Sequence, residues 1–138
     1  LEDFGEYDLR YFEDLGALRR EFRLREQEHG LARLATGFAW PWISRKSDAA
    51  DIVIGEERLR WNSTTKDWIN SAGTTHEAGS IPTLQGYDLN YAGVIIGPDL
   101  RWNERSQRIA FDRSHYFDKK GRENNPKLGI IYSLLAHV

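Results

Sequence analysis

The chain has 138 residues, 40% of them hydrophobic and 29% charged, with 19 lysines and arginines against 21 aspartates and glutamates. That composition, at a mean hydropathy of −0.63, excludes disorder on one side and a membrane-spanning helix on the other, since the latter needs roughly 18 consecutive apolar residues. The net charge of −2 excludes a general attraction to nucleic acid, and the absence of cysteine excludes disulfides, thiol nucleophiles and thiolate metal sites.

The length fits one domain with one core. The opening LEDFGEYDLRYF is acidic and lacks the basic-then-apolar pattern of a signal peptide, so a cytoplasmic protein with no membrane partner is expected. Within it DLRYF, residues 8–12, alternates as a strand does. Asp14 is placed to cap a helix over LGALRREFRLREQEH, with Leu15, Leu18 and Phe22 on its apolar face and Arg19, Arg20, Arg23, Glu26 and Glu28 largely solvated. Gly30 sits where a helix-terminating glycine belongs. LARLATG, 31–37, reads as a buried strand, followed by the aromatic and basic loop FAWPWISRKSD.

DIVI at 51–54 and RLRWN at 58–62 form a candidate hairpin across GEE. The stretch 63–79 reads as loop apart from WIN. SIPTL and AGVIIG are then expected as strands, joined by a polar turn and a single helical turn within QGYDLNY. Beyond Pro98 the polar chain contains RIAF, then SHYFDKKGRENNPK, rich in turn formers, and finally the apolar LGIIYSLLAHV. No internal repeat or interdomain linker interrupts this order.

Several chemistries lack their residues. No Gly-Lys pair occurs, so there is no GxxxxGK[ST] phosphate loop, and no GxSxG elbow is present. His29, His76, His115 and His137 are scattered without metal-ligand spacing. Asp51 with Glu56 and Glu57, or Asp112 with Asp118, supply carboxylates for a hard cation, but solvated loop charge is the favoured reading of both groups.

Two stretches carry more. Trp40 and Trp42 precede Arg45 and Lys46, a set able to stack bases while its cations meet phosphate. The competing reading has both indoles closing the end of the sheet, and large aromatics more often pack than present themselves. In SIPTLQGYDLNYAGVIIG, a polar turn leaves the end of a sheet strand, where open α/β folds put ligands. There Gly86 would admit a phosphate or sugar, a helix starting near Gln85 would point N–H groups at an anion, and Asp88 would accept from sugar hydroxyls. The alternative is a turn in which Asp88 and Asn90 satisfy their own backbone.

GLARLATGFAWPWISRKSD, DIVI, WN at 61–62, DWINS, SIPTLQGYDLNYAGVIIGPDL and YFDKKGREN, in this order along the chain, resemble segments of predicted ATP-dependent DNA/RNA helicases of the Schlafen group, within a C-terminal half catalogued as a domain of unknown function. The resemblance covers essentially the whole chain. It implies a second RecA-like lobe of a superfamily 1 type motor: an α/β fold, with a mainly parallel sheet flanked by helices and a possible small hairpin. The polar turn would then be motif V, with Thr83 near the nucleic-acid backbone, Gln85 and Gly86 between the two ligands, and Asp88 near the nucleotide ribose.

The resemblance also sets the expected partners. ATP with magnesium would bind only in an intact parent containing the N-terminal motor lobe, and single-stranded DNA or RNA would bind weakly. Pro82 departs from the family's histidine, removing one side-chain contact and one backbone N–H. The phosphate loop and acidic metal motif of the first lobe, and the family's C-terminal LLTRG arginine, are not found, so residues 1–138 are expected as a single incomplete lobe, trimmed from a longer protein and not catalytic alone. A stand-alone, non-catalytic module binding nucleic acid or protein is the alternative. Truncation near Ile130, Ile131, Leu134 and Leu135 is expected to favour a homodimer.

Overall fold

The computed structural model describes residues 8–119. The segment around Ile130, Ile131, Leu134 and Leu135, singled out for self-association, lies outside them, as does His137.

Helix α1, Leu15–His29, begins where expected: the Asp14 carboxylate accepts the N–H groups of Gly16 at 3.0 Å and Ala17 at 2.9 Å. It ends at Gly30, whose φ of 68° suits glycine. Leu15 is buried, and Leu18 and Phe22 pack against the core. Arg19 departs from the solvated face assigned to it: it is buried and ion-paired with Glu57. Glu26 is likewise drawn inward, meeting the Arg33 guanidinium at 2.8 Å.

The strands are β1 (Ala32–Thr36), β2 (Ile52–Ile54), β3 (Glu57–Trp61), β4 (Glu77–Ser80) and β5 (Tyr91–Ile95). They form one five-stranded sheet in the order β2-β3-β4-β1-β5, parallel throughout except for β2, which pairs antiparallel with β3. All five residues of β1 are buried, as a central parallel strand covered on both faces requires. On one face, Leu34, Ile52, Leu59, Trp61, Ala78 and Ile95 meet Leu15 of α1 in a single core. Across β1 from Leu34 stands Gly93, where a Cβ would lie 2.6 Å from the Phe22 ring, so this glycine lets the helix approach the sheet.

The other face is closed by a short 3-10 turn, Trp68–Asn70. Trp68 packs onto Gly79, and its Nε1–H donates to the Glu77 carboxylate. Arg33 reaches the same turn, its Nε donating to the Ile69 carbonyl at 2.8 Å. A separate antiparallel hairpin, β6 (Leu100–Asn103) with β7 (Arg108–Phe111), follows the sheet.

Three local expectations are corrected. DLRYF is irregular and joins no strand. SIPTL is not a strand: β4 lies upstream in EAGS and stops at Ser80, because Pro82 lacks the N–H a ladder needs while its fixed φ suits the first turn of a helix. The helical turn expected in QGYDLNY therefore falls earlier, as α2, Ile81–Leu84. The small hairpin is found as β2–β3, and a second one is added by β6–β7, whose first strand, LRWN, was not anticipated.

Candidate functional site

Parallel pairing puts the carboxyl ends of β1, β4 and β5 on one edge of the sheet, with Thr36 in register with both Ser80 and Ile95. Thr36 is fully buried and donates its hydroxyl to the Ile95 carbonyl at 2.8 Å. Chain leaving this edge forms the two stretches singled out in the sequence.

The first begins at Ser80. Its N–H donates to the Asn62 side-chain oxygen at 3.1 Å, and the Asn62 amide donates onward to the Thr64 carbonyl at 3.0 Å. Its hydroxyl lies 2.7 Å from that of Thr83, so Thr83 is buried and its side chain is engaged within the chain. Beyond Leu84 the backbone turns sharply. Gln85 has φ −61° and ψ 129°, Gly86 has φ 84°, and Tyr87 donates its N–H to the Leu84 carbonyl at 3.3 Å. Those angles define a type II turn, whose third position demands glycine. A Cβ on Gly86 would meet nothing within 4 Å, so backbone conformation, not crowding, accounts for the glycine, and the space beside it is open. No helix starts near Gln85, contrary to the anion-binding expectation, because the helix has already ended at Leu84.

Asp88 and Asn90 separate at this point. Asn90 is structural: its amide donates to the carbonyls of His29 at 2.9 Å and Gly30 at 3.1 Å, fixing the start of β5 to the end of α1. Asp88 is exposed and takes no hydrogen bond or ion pair among the described residues.

The second stretch leaves β1. Trp42 and Trp61 lie with ring centroids 5.7 Å apart, and Phe38 stands 5.9 Å from Trp61 on its own account. Trp40 is half-buried, and a Cβ on Gly97 would lie 2.9 Å from its ring. Both indoles therefore pack against the core, in keeping with the sheet-closing reading. The Arg45 guanidinium stacks 3.9 Å from the centre of the Trp42 ring, while Lys46 is exposed without a partner among the described residues.

What holds this loop was missed from sequence. Asp51, read there as solvated loop charge, is 4% exposed. One of its oxygens accepts the N–H groups of Ile43 and Ser44, and the other accepts that of Trp61 at 2.8 Å. Glu77 is buried in the same way, accepting from Ser63 and Trp68. Both carboxylates replace missing backbone partners where chain enters and leaves the sheet, and nothing in the sequence distinguishes them from surface acids.

Asp112 follows the β6–β7 hairpin. It accepts from the Ser114 hydroxyl at 2.7 Å and lies 2.7 Å from His115 Nδ1, and these bonds, Ser114 first, hold its pKa down at about 2. Ser114 and Asp112 both meet the same imidazole nitrogen, so the trio cannot relay a proton from serine through histidine to aspartate. Nearby Asp99 is buried, which pushes its pKa up. Among the described residues no group of three His, Asp or Glu side chains converges on a point that would hold a metal, and no helix is long and apolar enough to cross a membrane. A groove of about 800 Å³ runs between residues 8–14, α1 and β5, and none of the candidate residues lines it.

Residues 1–130 match the family described as Schlafen group 3, DNA/RNA helicase domain. The chain is also 28% identical over 122 residues to Uncharacterized protein YPL245W of Saccharomyces cerevisiae (strain ATCC 204508 / S288c), covering 83% of this chain and 26% of that protein. It thus spans about a quarter of the length of that relative. No solved structure matches significantly. A mostly parallel α/β sheet, with its polar turn at the carboxyl edge, lies within a family match covering all but the last eight residues: the chain belongs to the Schlafen group 3 DNA/RNA helicase domain family.

Proposed function

We propose that this chain is the motif V-bearing part of a helicase or translocase motor lobe, lying between a nucleotide and a nucleic-acid strand and not catalytic alone. The observation that carries this reading is the turn after β4. Its Gly86 leaves open space beside the backbone, and two residues on, Asp88 is an exposed carboxylate without a partner among the described residues, suited to accept from ribose hydroxyls. Thr83, hydrogen-bonded to Ser80 through its hydroxyl, positions that turn.

The residues fit one side of a nucleotide. Gln85, Gly86 and Asp88 suit the sugar, but the described residues offer no phosphate cradle: α2 is a single turn, and the sequence has no Gly-Lys pair. ATP with magnesium, when bound, supplies the transferable phosphoryl group. The groups that bind and polarise it would come from a first motor lobe, and this chain contributes the ribose side of the cleft. In the loop after β1, Arg45 and Lys46 would meet phosphates of single-stranded DNA or RNA, while Trp40 and Trp42 support the loop from beneath.

The test is ATP hydrolysis with and without single-stranded nucleic acid, on this chain alone and on a protein joining it to a phosphate-loop lobe. The joined protein should hydrolyse ATP, and Asp88→Ala should raise its KM for ATP. Arg45→Ala with Lys46→Ala should reduce stimulation by nucleic acid and leave that KM unchanged. Turnover by this chain alone, lost on Asp88→Ala, would overturn the reading.

A further inference from the structure

The hairpin β6–β7 is built unlike the rest of the fold. Directly opposed residues share a face, so Leu100, Trp102, Ile109 and Phe111 lie on one side, and Arg101, Asn103, Arg108 and Ala110 on the other. At the base of the apolar side the rings of Phe111 and Tyr116 lie 5.6 Å apart. Toward the tip, Trp102 is 59% exposed and Ile109 42% exposed. A tryptophan carries the largest apolar surface of any side chain, and here the fold leaves more than half of it in water.

The tip is preorganised. Its turn, residues 104–107, is closed by its own side chains: Asn103 accepts the Ser106 N–H at 3.0 Å, and the Gln107 amide donates to the Glu104 carbonyl at 2.8 Å. The base is closed by the Asp112 N–H on the Asp99 carbonyl at 2.7 Å and tied to chain leaving the sheet by Leu100 N–H on the Gly97 carbonyl at 3.2 Å and Phe117 N–H on the Phe38 carbonyl at 2.8 Å. Two isolated strands are marginal in water, so such anchoring holds a shape that its own core cannot. Gly97 follows β5 and Phe38 follows β1, so the hairpin stands on the same edge as the polar turn and the basic loop.

Its charge opposes that of the whole chain. Between Leu100 and Phe111 lie Arg101, Arg105 and Arg108 against Glu104 alone, in a protein of net charge −2. The three arginines form no ion pair among the described residues. An exposed indole on one face, with guanidinium groups on the reverse face and at the tip that are unpaired among the described residues, is the chemistry that stacks a base while a strand crossing the hairpin edge meets cations.

We propose that the β6–β7 hairpin is a second nucleic-acid contact, in which Trp102 stacks on an unpaired base of a single strand that crosses the hairpin edge, so that Arg105 at the tip and Arg101 and Arg108 on the reverse face meet the flanking phosphates. It shares with the functional reading above only the class of ligand and uses none of the same residues.

The experiment is fluorescence anisotropy of the 138-residue chain with fluorescein-labelled oligo-dT and oligo-U 20-mers, across a salt series. Trp102→Ala should weaken binding about tenfold, and Trp102→Phe, which keeps a stacking ring, should restore most of it. Replacing the three arginines together by alanine should lower the logarithmic salt slope by about 2. Circular dichroism should be unchanged, since these side chains are exposed. Equal binding by wild type and both hairpin variants overturns the proposal, as does absence of binding to either oligomer. If binding survives those variants but is lost on replacing Arg45 and Lys46, the basic loop stands and the hairpin does not. A hairpin variant that alters sedimentation but not anisotropy identifies the surface as a protein contact instead.

Discussion

The guanidinium of Arg45 lies 3.9 Å from the centre of the Trp42 ring, and that ring is itself packed near the buried Trp61. Trp42 is therefore a support carrying a cation, and a base could stack on its covered face only by displacing Arg45. The two side chains should separate by experiment. Trp42→Ala removes core packing and should cost about 3 kcal/mol in urea unfolding. Arg45→Ala loses only a surface cation–π contact, about 0.5–1 kcal/mol, yet should weaken binding to single-stranded oligomers. Equal losses of stability would contradict this division.

Asp51 gives a sharper prediction because its two oxygens are fully assigned. The isosteric Asp51→Asn leaves one oxygen and turns the other position into an amide, which must face an N–H of the same sign of dipole at Ile43 and Ser44 or at Trp61. One or two charge-assisted bonds are lost and a buried donor is left without an acceptor, so the expected cost is about 2–3 kcal/mol. Amide hydrogen exchange should accelerate at Ser44 and Trp61 before it does in β1. Unchanged protection at both would show that the carboxylate is dispensable.

How much of this was legible in the sequence follows from which interactions are local. Asp14 and Gly30 bound α1 through contacts within a few residues, and β1, β2–β3 and β5 declared themselves by apolar runs and a turn. β4 did not, because EAGS has no β-branched or large apolar residue. It is a strand only because Trp68, eleven residues before Gly79, needs that glycine's bare surface, and because Glu77 finds the indole N–H. The Gln85–Gly86 turn lies where the sequence puts it, but the helix expected to start there ends just before it, so no helix N-terminus faces an anion at that point. Burial of Arg19, Arg33 and Asp51 depends on partners from 7 to 38 residues away, on other elements, and no periodicity encodes that.

The depressed pKa of Asp112 makes the hairpin base sensitive to acid. Folding favours the ionised carboxylate, through the Ser114 hydroxyl and then His115, so its contribution is complete above the ordinary carboxylate value and is lost as pH falls toward about 2. Carboxyl carbon shifts in NMR should titrate Asp112 near pH 2 in the wild type and closer to the ordinary value in Ser114→Ala. Asp99 moves oppositely, because burial favours its neutral form, so its ionisation weighs against the fold as pH rises through its raised pKa. A Ser114→Ala variant with an unmoved Asp112 titration would remove the hydroxyl as the cause.

Gly86 and Asp88 are two residues apart and should behave as opposites. Gly86 sits at φ 84° in a type II turn, a conformation that strains any L side chain although no atom obstructs one. Gly86→Ala should therefore cost about 1 kcal/mol through backbone conformation alone, and Gly86→Val more, because branching at Cβ tightens the restriction. Gly86→Asn should cost least, since asparagine tolerates positive φ. Asp88 is exposed and without a partner among the described residues, so Asp88→Ala should leave the urea midpoint within error. Its effect should be confined to ribose recognition: in a protein joining this chain to a phosphate-loop lobe, the variant should lose discrimination between ATP and 2′,3′-dideoxy-ATP. If Asp88→Ala unfolds the chain, or if ATP remains preferred over the dideoxy analogue to the wild-type degree, Asp88 is not the sugar ligand.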